Sequence, residues 1–94
     1  MGFLDFDNYF VNMAKVDLIG RSIDTLEQDH GTEPPVRLWI YMDEGDPIEM
    51  PYKFDTVEQA EQFKHGLLRR VHRTGLCLKA DLDELFVITM GRTA

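Results

Sequence analysis

The fold of this chain is decided by residues 36–54, which read VRLWIYMDEGDPIEMPYKF. Apolar and other residues alternate on both sides of EGDP, and this alternation is typical of strands with one buried face. EGDP itself is rich in residues that favour turns. Pro51 cannot donate a backbone hydrogen bond, so we expect the second strand to lie at a sheet edge. The stretch therefore predicts a β-hairpin with strands at 36–43 and 48–54.

The first strand of this hairpin carries two different faces. One face holds Val36, Leu38, Ile40 and Met42, and the other holds Arg37, Trp39, Tyr41 and Asp43. The first set already supplies a core, so the aromatic pair on the second face needs another covering. Trp, Tyr and Arg are also the residue types that most often contribute binding energy. We predict that Arg37, Trp39, Tyr41 and Asp43 form a partner-binding surface, unless one of the helices or the N-terminal segment with Phe3, Leu4 and Phe6 covers it.

Two helices are predicted on either side of the hairpin. Over residues 6–28, apolar residues recur at steps of three or four, which is helical periodicity. Gly20 marks either a close packing contact or a break into two shorter helices. The second helix follows the hairpin, where Asp55 and Glu58 form a capping pattern, and it ends at Gly75.

The C-terminal region predicts one or two further strands. Residues 76–80, LCLKA, suit a short strand, and residues 85–90, LFVITM, form a continuous apolar run that suits an internal strand, with a buried helix segment as the alternative. We therefore predict an α+β fold in a single domain, residues 1–94. It has two layers, an antiparallel sheet of three or four strands and two helices, in the order α-β-β-α-β(-β).

The charge of the chain is negative and unevenly distributed. The net charge of the 94 residues is −7. Residues 1–52 hold 11 acidic and 3 basic side chains, or −8, and residues 53–94 hold 6 and 7, or +1. An acidic half argues against direct nucleic-acid binding, which needs dense Lys and Arg. It fits either solubility or attraction to a basic partner.

Composition also predicts the compartment. No apolar run approaches the roughly 18 residues of a membrane span, so we expect no membrane partner. The N-terminal stretch MGFLDFDNYF lacks the basic start of a secretory signal. A single cysteine excludes an internal disulfide and suits a reducing environment. These observations predict a soluble cytoplasmic protein.

No residue pattern indicates catalysis, a metal site or a cofactor. Cys77 lies within the apolar sequence LCL, which indicates a buried thiol rather than a nucleophile paired with His72. His65 and His72 are seven residues apart, about 10.5 Å along a helix, which is too far to share one zinc ion. Residues 43–49, DEGDPIE, lack the spacing of a calcium loop. We therefore predict that the chain is not an enzyme.

Basic residues near the end of the second predicted helix form a secondary candidate site. Arg69 and Arg73 are four residues apart and share a helix face with His65. A helix C-terminus disfavours anions, so these cations chiefly complement the helix dipole. They remain possible secondary partner-binding residues, because acidic side chains of another protein can pair with them.

These patterns favour one function and leave two alternatives open. The favoured function is a small, acidic, non-catalytic protein–protein interaction module that self-associates, with its binding surface on the outer face of the 36–54 hairpin. One alternative is an acidic inhibitor of a nucleic-acid enzyme, either a phage-style anti-defence protein or a nucleic-acid mimic. The other is a small-ligand binder or enzyme with no recognisable motif.

Overall fold

The computed structural model describes residues 2–6, 8–23 and 36–91. This part of the chain contains eight main elements and a short 3-10 helix, Met13–Lys15. In chain order they are β1 (Phe3–Phe6), β2 (Tyr9–Asn12), β3 (Val16–Ile23), β4 (Val36–Met42), β5 (Ile48–Phe54), α1 (Val57–Thr74), β6 (Leu76–Cys77) and α2 (Lys79–Thr89).

The strands form two small sheets, and the predicted α+β class is confirmed. The first sheet has the order β2-β1-β6, with β1 antiparallel to β2 and parallel to β6. The second has the order β3-β4-β5 and is antiparallel throughout. The central run of hairpin, helix and short strand follows the predicted order.

The hairpin over residues 36–54 is confirmed. β4 and β5 flank a turn in which Gly45 has a φ of 91°, a left-handed conformation that glycine adopts without strain. β5 is an edge strand of its sheet, as Pro51 predicts. The pairing also shifts beside this proline. Trp39 pairs with Glu49 and Arg37 with Lys53, so β5 advances four residues where β4 advances two.

The inner face of the β3-β4-β5 sheet packs against the helices and the N-terminal sheet. Helix α1 presents a buried stripe at every third or fourth residue, as the sequence periodicity predicts. The core contains Leu4, Phe6, Val11, Ile19, Val36, Leu38, Ile40, Met50, Tyr52, Phe54, Ala60, Phe63, Leu67, Val71, Cys77 and Leu82. Both sheets and both helices therefore share one hydrophobic core, and the opposite, outer face of β4 is turned away from it.

Helix α1 begins one residue later than the capping pattern predicts. Thr56, not Asp55, is the N-cap: its hydroxyl oxygen accepts a hydrogen bond from the backbone N–H of Gln59 at 3.1 Å. The Gln59 side chain in turn accepts from the backbone N–H groups of Asp55 and Thr56. At the other end, the helix stops at Gly75 as predicted, and this residue has a φ of 78° and forms a left-handed cap.

The cap of α1 can be tested with two neighbouring alanine substitutions. We expect Thr56→Ala to lower the free energy of unfolding by about 1 kcal/mol, because the Gln59 backbone N–H loses its acceptor. Asp55→Ala should change it by less than about 0.5 kcal/mol, because the Asp55 side chain does not cap the helix. Urea unfolding of both variants measures the difference. A larger loss of stability for Asp55→Ala than for Thr56→Ala would mean that Asp55 is the N-cap, as the sequence predicts.

The helix predicted over residues 6–28 is wrong throughout its described part. These residues form strands β2 and β3, joined by the 3-10 helix that Asn12 caps through its side chain. The apolar residues recur at helical steps because two strands with independent alternation happen to meet at this spacing. Their side chains include β-branched and aromatic types that favour strands. Residues 24–28 lie outside the described residues.

The strand predicted over residues 85–90 is also wrong. The segment is helical, as in the alternative, but it is not buried, because Val87 is 43% and Ile88 62% exposed. Residues 85–89 belong to α2 and Met90 is its C-cap. The first turn of α2 contains Asp81, which accepts a hydrogen bond from the backbone N–H of Leu78 at 3.1 Å. Leu82 is fully buried, and Leu85, Phe86 and Met90 pack against the core. The run is continuous in apolar character because α2 also exposes Val87 and Ile88 to solvent.

Candidate functional site

The outer face of β4 presents the aromatic pair that the sequence predicts. Ile40 is fully buried on the inner face, while Trp39 is half-buried and Tyr41 is 37% exposed on the other side of the strand. Leu4 and Phe6 of the N-terminal segment pack into the inner core, so they do not serve as the alternative cover for this pair. We call this surface the outer face, with Trp39 and Tyr41 at its centre.

Strand β3 extends the outer face with two residues that the sequence reasoning placed in a helix. Leu18 pairs with Tyr41 and is 57% exposed, and Gly20 pairs with Trp39. The Tyr41 ring lies against Gly20, since a Cβ atom there would be 3.1 Å from Cε2 of the ring. Gly20 therefore provides the space in which the aromatic ring packs across the strands.

Charged residues lie along the outer face at both ends. Arg37 forms a salt bridge with Glu49 on the neighbouring strand, and it also pairs with Lys53 in the strand register. Asp43 lies just beyond β4, is exposed, and donates its backbone N–H to the carbonyl of Lys15 at 2.9 Å. The structure thus places Arg37, Trp39 and Tyr41 on one face and Asp43 at its end. Apolar residues with a charged rim have the composition of a protein interface.

The secondary candidates Arg69 and Arg73 lie on the exposed side of α1, near its end. Their neighbour Arg70 contacts Asp81 at 3.2 Å and Glu84 at 4.0 Å, which ties α1 to α2. Arg73 lines a shallow cleft with Leu76 beside this contact. Partner binding by Arg69 and Arg73 stays a prediction.

The environment of Cys77 does not activate its thiol. The side chain is fully buried, and this burial raises the pKa of the thiol to about 11. The thiol is therefore protonated at neutral pH, whereas a nucleophile needs the thiolate. His72 is exposed on α1 and lines a different cleft, with Gly2 and Val71.

His, Cys, Asp and Glu side chains are distributed over the described ranges, 2–6, 8–23 and 36–91. Within them, no group of three or more His, Cys, Asp or Glu side chains is placed to hold a metal ion. No helix of the same ranges combines the length and apolar character needed to cross a membrane. His65, one of the two histidines considered as ligands, lies 4.0 Å from the carboxylate of Glu61 on the preceding turn of α1.

A second exposed apolar surface lies on the N-terminal sheet, and sequence reasoning missed it. The rings of Phe3 and Phe10 stack with centroids 5.0 Å apart and planes 8° apart, and Phe10 is 66% exposed. Leu76 pairs with Phe3 across the parallel strands and is also exposed. The missed signal is the alternation of residues 3–6, in which Leu4 and Phe6 are buried and Phe3 points away from them.

No protein family, curated protein or solved structure matches this chain. Its function is therefore inferred from its own surfaces. Of the two apolar surfaces, the outer face combines the larger set of residue types found at interfaces. It contains a Trp, a Tyr, an Arg and an exposed Leu on two adjacent strands, β3 and β4.

Proposed function

We propose that this chain is a small, non-catalytic, cytoplasmic protein-interaction module that self-associates. Its binding surface for a partner protein is the outer face of its β3-β4-β5 sheet. The observation that supports the proposal most directly is the exposure of Leu18 and Tyr41 beside half-buried Trp39. Among the described elements, both helices pack on the inner face and none on this one. An apolar sheet face that remains in contact with water is stabilised when another protein covers it.

The geometry of the outer face favours binding over simple exposure. Tyr41 is held in place by its contact with Gly20, so its ring loses little rotational freedom on binding. Arg37 is likewise positioned by its salt bridge with Glu49. Ordered aromatic and guanidinium groups with a charged rim are the usual composition of an energetically important interface centre.

The proposal can be tested with a photo-crosslinking amino acid placed at Tyr41. Tyr9 provides a matched control, because it is the same residue type with similar exposure on the other sheet. In the native host, we expect crosslinks to a defined protein from position 41 and none to that protein from position 9. Crosslinking from position 9 alone would move the binding surface to the N-terminal sheet and contradict the proposal.

A pair of charge substitutions measures the contribution of the outer face to affinity. Leu18→Lys places a charge on this face, and Ile88→Lys places one at a similarly exposed aliphatic residue of α2. We expect Leu18→Lys to weaken the affinity for the crosslinked partner by about tenfold or more, or about 1.4 kcal/mol. Ile88→Lys should leave it within about twofold. Equal losses of affinity for both variants would contradict partner binding through the outer face.

Salt dependence separates this proposal from the acidic-inhibitor alternative. Binding through apolar surface changes little between low and high salt, whereas binding of a basic nucleic-acid enzyme by acidic side chains weakens strongly. Affinity measured by calorimetry at two salt concentrations therefore distinguishes the two. A steep loss of affinity with salt would replace the proposed function with the inhibitor.

A further inference from the structure

Strand β3 has a long outer edge. It spans Val16–Ile23 and lies at one edge of the β3-β4-β5 sheet, with β4 as its pairing partner in the described part of the chain. Its register with β4 shifts between Val16 and Leu18 and is regular over the six pairs from Leu18 to Ile23. In an antiparallel ladder, every second residue of an edge strand directs its backbone N–H and C=O away from its neighbour. Such an edge is a template for another strand.

The other sheet edges are less suited to accept a strand. β5 contains Pro51, which lacks an N–H donor, and its register with β4 shifts by two residues in the same region. β2, at the edge of the N-terminal sheet, has only 4 residues. Proline, irregular pairing and short length all hinder edge-to-edge association. β3 combines the greatest length with regular pairing over its last six residues, from Leu18 to Ile23.

An apolar groove runs beside the edge of β3. It has a volume of about 340 Å³ and lies between β3 and α1. Its apolar walls include Met13, Val16, Ile19 and Leu68, and Asp17 and Lys64 line it with opposite charges. Met13 and Leu68 also line the adjoining cleft that reaches Gly2, so the groove continues along α1. A strand that pairs with β3 would place alternate side chains over these walls and remove them from water.

The charge around this edge differs from that of the whole chain. Lys15, Arg21 and Lys64 are basic and Asp17 and Glu61 are acidic, which gives +1 where the chain as a whole has −7. Two copies of an acidic protein repel each other least where their contact surfaces are locally close to neutral. Charge therefore favours this edge for the approach of a second copy.

The distribution of charge along β3 is also self-complementary. Asp17 and Arg21 lie two residues on either side of Ile19. In an antiparallel pair of β3 strands centred on Ile19, Asp17 of each copy lies opposite Arg21 of the other, whose guanidinium group also pairs with Glu61 of its own α1. Opposite charges on facing strands stabilise pairing, and a two-fold axis provides this contact twice.

We infer that a second copy of this chain pairs antiparallel with β3, centred on Ile19, to form a continuous six-stranded sheet. The inference rests on the self-association in the proposed function and specifies its geometry. The two-fold axis is perpendicular to the sheet, so both outer faces lie on the same side. Leu18, Trp39 and Tyr41 of both copies then form one extended surface, which presents the partner with two equivalent sites.

Two substitutions with equal charge change test the inference. Asp17→Lys and Asp55→Lys both raise the net charge from −7 to −5, but Asp55 is exposed and directly follows β5, at the opposite edge of the sheet from β3. By sedimentation equilibrium, we expect the dimer dissociation constant to rise about five- to tenfold for Asp17→Lys, because two attractive contacts become repulsive. Asp55→Lys should leave it unchanged or lower it. Equal dissociation constants for the two variants would overturn the inference.

Amide hydrogen exchange of the wild-type chain, measured at protein concentrations below and above the dimer dissociation constant, reports on the pairing directly. We expect the outward-directed amides of β3 to exchange at least tenfold more slowly in the dimer, and those of β5 to be unchanged. A dimer without this protection overturns edge pairing, as does a chain that stays monomeric. If position 41 still crosslinks a partner in either case, the proposed outer-face binding survives. If the β3 amides are protected but position 41 forms no crosslink, edge pairing is supported and outer-face binding is contradicted.

Discussion

Phe63→Ala is expected to lower the free energy of unfolding by about 3–5 kcal/mol. Phe63 is fully buried in α1, and its ring lies 5.0 Å from that of Tyr52 and 5.2 Å from that of Phe54. Phe86 of α2 completes the cluster at 6.4 Å. Removal of the central ring leaves a cavity between the sheet and both helices, in addition to the lost burial of apolar surface.

The size of this loss is large for a chain of 94 residues. A domain of this length is stable by about 5–15 kcal/mol, so the substitution removes a substantial part of the total. Urea unfolding followed by circular dichroism measures it. Phe10→Ala is the control, because Phe10 is 66% exposed and stacks on one ring, Phe3. We expect that control to lose less than about 1 kcal/mol, and equal losses would contradict the proposed position of the core.

The hairpin and α1 could be predicted because the sequence pattern within each element indicates its structure without reference to the rest of the chain. Alternation over residues 36–42 shows which face is buried without reference to any other element, and the turn residues at 44–47 fix the connection. Helix α1 likewise has a regular apolar stripe and a glycine at its end. The one-residue difference in its cap arises because Thr56 and Asp55 are both good capping residues, and only the backbone conformation distinguishes them.

The N-terminal strands could not be predicted from periodicity alone. Strands β1 and β2 are 4 residues each, too short for alternation to be distinguished from helical spacing. The 3-10 helix that follows shifts the phase of the pattern before β3 begins. The prediction for residues 85–90 was wrong for a different reason. Helix α2 buries Leu82 but exposes Val87 and Ile88, so its apolar run shows no helical period.

The outer face was predictable only in the part that belongs to one strand. Alternation within β4 places Arg37, Trp39 and Tyr41 together. Leu18 and Gly20 join them through the pairing of β3 with β4, which is a contact between distant parts of the chain. Strand pairing of this kind depends on the whole fold, so the extent of a sheet surface cannot be obtained from one segment.

Gly2→Ala is expected to lower the free energy of unfolding by about 1–3 kcal/mol, because the chain packs too closely around this residue for a side chain. A Cβ atom at Gly2 would lie 2.6 Å from Cγ1 of Val71 and 2.7 Å from the carbonyl oxygen of Gly75. The second contact involves the backbone, which cannot move aside as a flexible side chain can. The same carbonyl accepts a hydrogen bond from the N–H of Phe3 at 2.9 Å, which links β1 to β6.

A second glycine separates this steric effect from the effect of backbone conformation. At Gly45, a Cβ atom would meet no heavy atom within 4 Å, but φ is +91°, so Gly45→Ala introduces conformational strain without a clash, at a cost of about 1 kcal/mol. Gly2→Ala should therefore be the more destabilising of the two in urea unfolding. It should also increase amide exchange at Phe3, because the Gly75 carbonyl must move away from the new methyl group. A Gly2→Ala variant as stable as the wild type would mean that β1 and β6 lie further apart than their hydrogen bond indicates.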